Sequence, residues 1–163
     1  MSKGGKKKGA PDGREIVCRN PKAAQRYEIE EKIEAGMVLL GSEVKSLRNK
    51  RGDLEGAYAS FNGMELFLHK MHIAPYDQAG PFHGHDVRRS RKLLLHARQI
   101  ERLHGRISRE GYTVVPLEVY FRNGVAKVEL GVARGKKVAD QRQEIRKKQD
   151  MADAHAAMQR AKK

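Results

Sequence analysis

The chain has one cysteine, Cys18, no tryptophan and five prolines. A single thiol excludes an internal disulfide framework and a cysteine-rich zinc ribbon. Aromatic residues make up 6% of the sequence and hydrophobic residues 39%, so the core must be small. No apolar run approaches the roughly 18 residues of a membrane span. The basic N-terminus is not followed by an apolar segment, which argues against a secretory signal. The expectation is a soluble, cytoplasmic protein with no membrane partner. Acidic charge is also scarce, with 20 Asp+Glu against 34 Lys+Arg and a formal net charge of +14. Such a field favours a polyanionic partner.

The 163 residues are the length of one ordinary domain with additions. The positive charge is concentrated at the two ends. Residues 1–26 carry eight Lys/Arg and two acids, and residues 136–163 carry nine and four, whereas 27–135 carry 17 and 14. Residues 1–13 are mostly Lys and Gly with almost nothing to bury, and predict a disordered basic arm. Residues 14–135 form the body, nearly balanced in charge over 27–135 and with its own apolar patterning. Residues 136–163 hold no Gly or Pro and little apolar surface, which predicts a tail that becomes helical only when docked.

Within the body, Asn20-Pro21 places a capping residue before a proline and predicts a short helix to Arg26. Tyr27–Ala35 reads as a strand, Gly36 as a turn, and Met37–Leu40 as a buried strand. Val44–Arg48 reads as a short helix that Ser42 caps. Ala57–Phe61 and Leu66–Ile73 flank Asn62-Gly63, and Tyr112–Arg122 and Val125–Arg134 flank Asn123-Gly124. Both pairs are hairpin signals. Arg91–Leu95 fits either strand or helix. His96 and Gln99 resemble a capping box for a helix over Ala97–Ser108 that Gly111 ends. About six strands without regular strand–helix alternation favour a mainly β protein, a small antiparallel barrel with about three short helices.

Candidate chemistry is sparse. On the 97–108 helix, Ala97, Ile100, Leu103, His104 and Ile107 share one side, and Arg98, Arg102, Arg106 and Arg109 the other. This pattern fits a core face with a solvated back, and equally a rail that tracks phosphates. His69 with His72, and His83 with His85 and Asp86, have spacings a metal tolerates but lack a third ligand cluster, so no metal or cofactor is expected. No residues are ordered for phosphodiester cleavage, so no catalytic residues are assigned and an enzyme is not expected. Gly135-Lys136-Lys137 lacks the glycine spacing of a nucleotide loop. Glu28, Glu30, Glu31 and Glu34 read as a solvated strand edge. Tyr27, Phe61, Phe67, Tyr76, Phe82, Tyr112, Tyr120 and Phe121 are candidates for base stacking, with core packing as the default.

Several strings taken together are more specific. They are Asn20-Pro21-Lys22-Ala23, Glu34-Ala35-Gly36-Met37-Val38-Leu39, Gly41-Ser42-Glu43-Val44-Lys45-Ser46-Leu47-Arg48, Arg91-Lys92-Leu93-Leu94-Leu95-His96, and Val128-Glu129-Leu130-Gly131-Val132-Ala133-Arg134-Gly135-Lys136-Lys137. In this order they resemble the SsrA-binding protein family, also called small protein B, over about residues 16–145. The resemblance implies an oligonucleotide-binding-type barrel that binds the transfer-RNA-like domain of transfer-messenger RNA. It implies improved alanine charging by alanyl-tRNA synthetase, and delivery of the RNA with elongation factor Tu and GTP to a stalled ribosome, the process of trans-translation.

For RNA contact the resemblance implies Asn20, Glu34, Lys45, Arg48, Leu94 and Lys127, together with Arg134, Lys136 and Lys137. For a tail that enters the messenger channel and meets the decoding centre it implies Asp140 and Arg142. Asp140-Gln141-Arg142 matches the family's usual Asp-Lys-Arg only in part, and no aromatic residue follows Phe121. The alternative is a general basic RNA-binding or ribosomal protein on the same barrel.

Overall fold

The computed structural model describes residues 13–76, 84–135 and 138–161. The expected arm, the loop residues Phe82 and His83, and Lys136 and Lys137 lie outside the described residues. Strand β1 (Arg14–Arg19), helix α1 (Ala23–Arg26), strand β2 (Tyr27–Met37) and helix α2 (Gly41–Arg48) come first. Strands β3 (Gly52–Asp53), β4 (Tyr58–Asn62), β5 (Glu65–His69), β6 (His72–Ile73) and β7 (Arg91–Leu94) follow. Helix α3 (Ala97–Glu110), strands β8 (Thr113–Arg122) and β9 (Val125–Gly135) and helix α4 (Val138–Ala161) complete the chain.

The seven long strands pair antiparallel in the order β1-β8-β4-β5-β7-β2-β9, and a β8–β9 pairing closes the ring. Strand β8 makes this possible by dividing one of its edges. Val114 pairs with Ala59 of β4, while residues 118–122 pair with β1. Its other edge runs along β9 throughout. Closure removes most of the free edge that an open sheet would present, leaving the outer sides of β1 and of residues 27–35 of β2 without a strand partner among the described residues. The result is the mainly β barrel expected from the sequence, with four helices among the described residues rather than three.

Alternation along the strands sets inside from outside. Leu66, Leu68, Leu93, Val114, Val128, Leu130 and Val132 are buried in one core. Leu103 of α3 joins it with no exposed surface, and Phe61 packs edge-on to His104 at 5.3 Å, so α3 is held against the barrel. Cys18 is partly buried, and burial, then Asp53, pushes its thiol up to about 12. Burial thus disfavours the thiolate form of this packing residue.

Several local expectations are corrected. Asn20 does not cap α1, because Lys22 stands at that position without a side-chain bond. Ser42 lies inside α2, and the Leu40 N–H donates instead to Glu43 Oε1 at 2.9 Å. Gly36 is no turn: β2 runs through it to Met37, and Val38 and Leu40 are exposed. The glutamates of β2 pair with β9 on one side only, because β7 reaches no further than Gly36 and Met37; Glu28 and Glu30 are exposed, and Glu31 and Glu34 half-buried. The first hairpin turns at Gly63-Met64, one residue later than expected, since Asn62 pairs with Glu65. The stretch to Ile73 breaks at Lys70, whose φ is 61°.

Beneath α2 sits a fully buried ion pair. Glu43 and Arg91 have no exposed side-chain surface and bond through Arg91 Nε. Arg91 Nη1 also donates to the Met71 carbonyl at 2.7 Å, and Arg89 Nη2 donates to Glu43 Oε1 at 2.6 Å. This cluster ties α2 to β7 and thereby places Lys45 and Arg48. Burial alone would raise the Glu43 carboxyl. The bonds from Arg89, the Leu40 N–H and Arg91 outweigh it and hold the group below its ordinary value of 4.5.

Candidate nucleic-acid interface

Glu34, Leu94 and Lys127 are far apart in sequence and meet because β2 lies between β7 and β9. Gly36 stands opposite Leu94 on one side and opposite Lys127 on the other. The three side chains line one open hollow of about 420 Å³ with Gly36, Met37, His96, Gln99 and Val125. Gly36 forms its floor by close approach: a Cβ there would lie 3.3 Å from Leu94 Cβ. Leu94 is 52% exposed, an apolar side chain held at the surface between an acid and a base.

Glu34 is rigidly presented. Tyr120 Oη donates to Glu34 Oε2, and Arg122 Nη1 lies 2.8 Å from the same oxygen. Burial first, and then the hydrogen bond to Glu34, push the Tyr120 hydroxyl upward, so it stays a protonated donor. With both partners on Oε2, Oε1 remains to accept from an amino or ribose hydroxyl donor of a ligand.

The other predicted contact residues fall in separate places. Lys45 and Arg48 are exposed on α2. Lys45 Nζ sits 5.3 Å from the Tyr76 ring. Arg48 overlooks Gly13, Glu15 and the Asn123-Gly124 turn in a second hollow. That turn is followed by Val125 of the first hollow, so the two are neighbours across the β8–β9 hairpin.

Asn20 lies at the far end of β1, about 20 Å away by strand rise. Its side chain donates to the Pro116 carbonyl at 3.0 Å, and its backbone N–H to Leu117 at 2.8 Å. These bonds fasten the bulge between Pro116 and Glu118, which is a structural role. Arg134 is exposed, with its guanidinium 4.4 Å from the Tyr112 ring. Asp140 and Arg142 lie within α4.

The arginine rail is reduced. Arg102 bonds Glu31, and Arg106 bonds Glu31 at 3.0 Å and Glu30 at 3.3 Å. Two of the four cations are thus paired with β2 carboxylates, Arg106 the more buried of the two. His85 bonds Ser42 and the Ile73 carbonyl, and His69 bonds Ser60 and Ser90. Among the described residues there is no cluster of three metal-ligating side chains. No described helix is long and apolar enough to cross a membrane.

A basic chain folded as a closed antiparallel barrel has the architecture of the oligonucleotide-binding type. The SmpB protein family model matches residues 17–160, and the chain belongs to that family. The SsrA-binding protein of Chloroflexus aurantiacus is 51% identical over 147 residues, covering 90% of this chain and 92% of that protein. The SsrA-binding protein of Geobacter metallireducens is 50% identical over 151 residues, covering 92% and 98%. A solved chain described under "tmRNA-SmpB: a journey to the center of the bacterial ribosome" superposes with a TM-score of 0.61 at 48% identity, covering 74% of this chain and 85% of that one.

Proposed function

We propose that this chain binds the transfer-RNA-like domain of transfer-messenger RNA and delivers it to stalled ribosomes for trans-translation. The observation that carries the site is the hollow in which Glu34, Leu94 and Lys127 converge. Lys127 supplies a mobile cation for a phosphate, Leu94 packs against a base or sugar, and Glu34 Oε1 accepts from a base or ribose donor. Arg48 and Lys45 extend the cationic contact across the β8–β9 turn, and Arg134, Lys136 and Lys137 carry it toward the tail. Asn20 supports the same body through the bulge it fastens.

The ribosome and the RNA are the primary partners. Elongation factor Tu with GTP and alanyl-tRNA synthetase act on the complex through the RNA, and the protein itself works by binding, as a cytoplasmic RNA-binding protein rather than an enzyme. Asp140 and Arg142 belong to the segment that meets the decoding centre.

Lys127→Ala is expected to weaken binding to the transfer-RNA-like domain by about 1–3 kcal/mol. It should also flatten the log–log salt slope by about one unit, as one phosphate contact is lost. Glu34→Ala is expected to weaken binding with the slope unchanged. Binding isotherms at four salt concentrations read both numbers. Wild-type affinity in both variants would contradict this site, and a flat slope for the wild-type protein would contradict a phosphate interface altogether.

A further inference from the structure

The outer face of the barrel does not stop at the Leu94 hollow. Leu94 and Lys92 point outward from β7, two residues and hence roughly 7 Å apart. Lys92 stands opposite Phe67 of β5, and Phe67 stands opposite Ser60 of β4. On this face three rings form a row. His69 lies 5.1 Å from Tyr58 with 32° between planes, and 6.3 Å from Phe67 with 31° between planes. The core beneath is made by their inward neighbours Ala59, Leu66 and Leu68, so these rings are not needed to fill the barrel. Tyr58 is 44% exposed.

The row is also fixed in place. His69 Nε2 pairs with Ser60 Oγ and Nδ1 with Ser90 Oγ, both at 2.8 Å. Two hydroxyls on one half-buried imidazole hold its plane, which packing alone does not require. Lys70, in a left-handed conformation, brings Nζ to 5.8 Å from the Tyr58 ring. At the other end Lys92 Nζ pairs with Glu65 at 3.0 Å. That pair is exposed, and exposed pairs contribute little, so the lysine is available to exchange its carboxylate for a phosphate.

We propose that Tyr58, His69 and Phe67 form a stacking shelf for an unpaired base of the same RNA that occupies the Leu94 hollow, with Lys70 and Lys92 at its two ends for the flanking phosphates. A row of rings flanked by cations suits a nucleotide, because every base has a π-face and every linkage a negative charge. Continuity of the outer strand face with the hollow assigns the base to the RNA held there. The inference rests on the RNA-binding reading of that hollow.

The test uses the full chain and the transfer-RNA-like domain of transfer-messenger RNA. The double variant Tyr58→Ala, Phe67→Ala should lose affinity about tenfold or more with an unchanged salt slope, since stacking releases no counterions. The swap Tyr58→Phe, Phe67→Tyr should retain affinity. A 4-thiouridine-substituted RNA irradiated with the wild-type protein should attach to the segment 58–70, a readout that needs no variant to fold. Affinity of the double variant within about twofold of wild type, while Lys127→Ala weakens binding, would overturn the shelf and leave the hollow standing. Silence of both would overturn both. Loss of ribosome affinity with unchanged affinity for the isolated RNA would place ribosomal RNA on the shelf and overturn the assignment made here.

Discussion

Glu43→Ala is expected to lower the unfolding free energy by about 3–5 kcal/mol, because it strands the Arg91 guanidinium without its counter-charge in the interior. Arg91 has no exposed side-chain surface, and the partners left to it are the Met71 and Val87 carbonyls. Urea unfolding followed by circular dichroism reads the loss. A loss under about 1 kcal/mol would mean that the pair is far better hydrated than its burial implies. Replacing both partners, with Glu43→Leu and Arg91→Met, should recover part of the stability, since no charge is then left buried. The Leu40 N–H and Arg89 still lose their acceptor, so recovery should be incomplete.

The same pair predicts an acid limb. The folded-state carboxyl of Glu43 lies below its ordinary value of 4.5, so its contribution is fully present above that value and fades as pH falls through the folded one. Stability of the wild-type protein should therefore drop more steeply below about pH 4.5 than that of Glu43→Gln. Because α2 carries Lys45 and Arg48, the RNA contact on that helix should be lost along with the fold.

Truncation after Gly135 is expected to leave RNA binding nearly intact and to abolish tagging on a stalled ribosome. Glu34, Leu94 and Lys127 all precede the cut, which removes only Lys136 and Lys137 of the proposed RNA contacts, and the strands of the barrel all lie before it. Helix α4 has no packed face among its described side chains: Ile145, Met151 and Met158 are 55%, 75% and 67% exposed. A helical stretch without burial, as from 145 to 159, rests on propensity and is marginal in water. We therefore expect the tail to lose order in the free protein, because fixing each residue costs about 1–2 kcal/mol that it does not recover. In a channel walled by ribosomal RNA its nine basic residues against four acidic ones gain phosphate contacts that offset this cost. RNA affinity and tagging of a non-stop message, measured on one truncated preparation, separate the two roles. Lost RNA affinity would make the tail a binding arm, and retained tagging would contradict its role in the channel.

Local chemistry was readable at two glycines, and misread at the Asn20 and Ser42 caps. The Asn123-Gly124 turn was legible because both residues adopt positive φ, 51° and 77°, which that pair tolerates better than others. The stop of α3 at Gly111 was legible for the same reason, with φ at 72°. Gly36 misled because a glycine signals a turn more often than a close approach, and here it makes room for Leu94. Glu43 and Arg91 gave no sign of burial, since charged residues read as surface until both partners are placed.

The hollow lay beyond composition and periodicity for a topological reason. Residues 34, 94 and 127 become neighbours only when the ring order of β7, β2 and β9 is known. The family resemblance named those residues, and the geometry supplied the reason they belong together. It also divided the remaining candidates, leaving Asn20 in a structural bond to Pro116 and taking two arginines of α3 into ion pairs with β2. Tyr58 and His69 were not singled out as stacking residues, because their alignment with Phe67 depends on the β4–β5 register.

Discrimination between RNAs tests the central claim most directly. The affinity of the full-length protein for the transfer-RNA-like domain of transfer-messenger RNA should be compared with that for ordinary transfer RNA and for a ribosomal RNA fragment of equal length, all at one physiological salt concentration. A shaped hollow with an acceptor at Glu34 and an apolar contact at Leu94 predicts clear preference for the transfer-RNA-like domain, and loss of that preference in Glu34→Ala. Equal affinity for all three RNAs would reduce the protein to a general basic RNA binder and contradict the account.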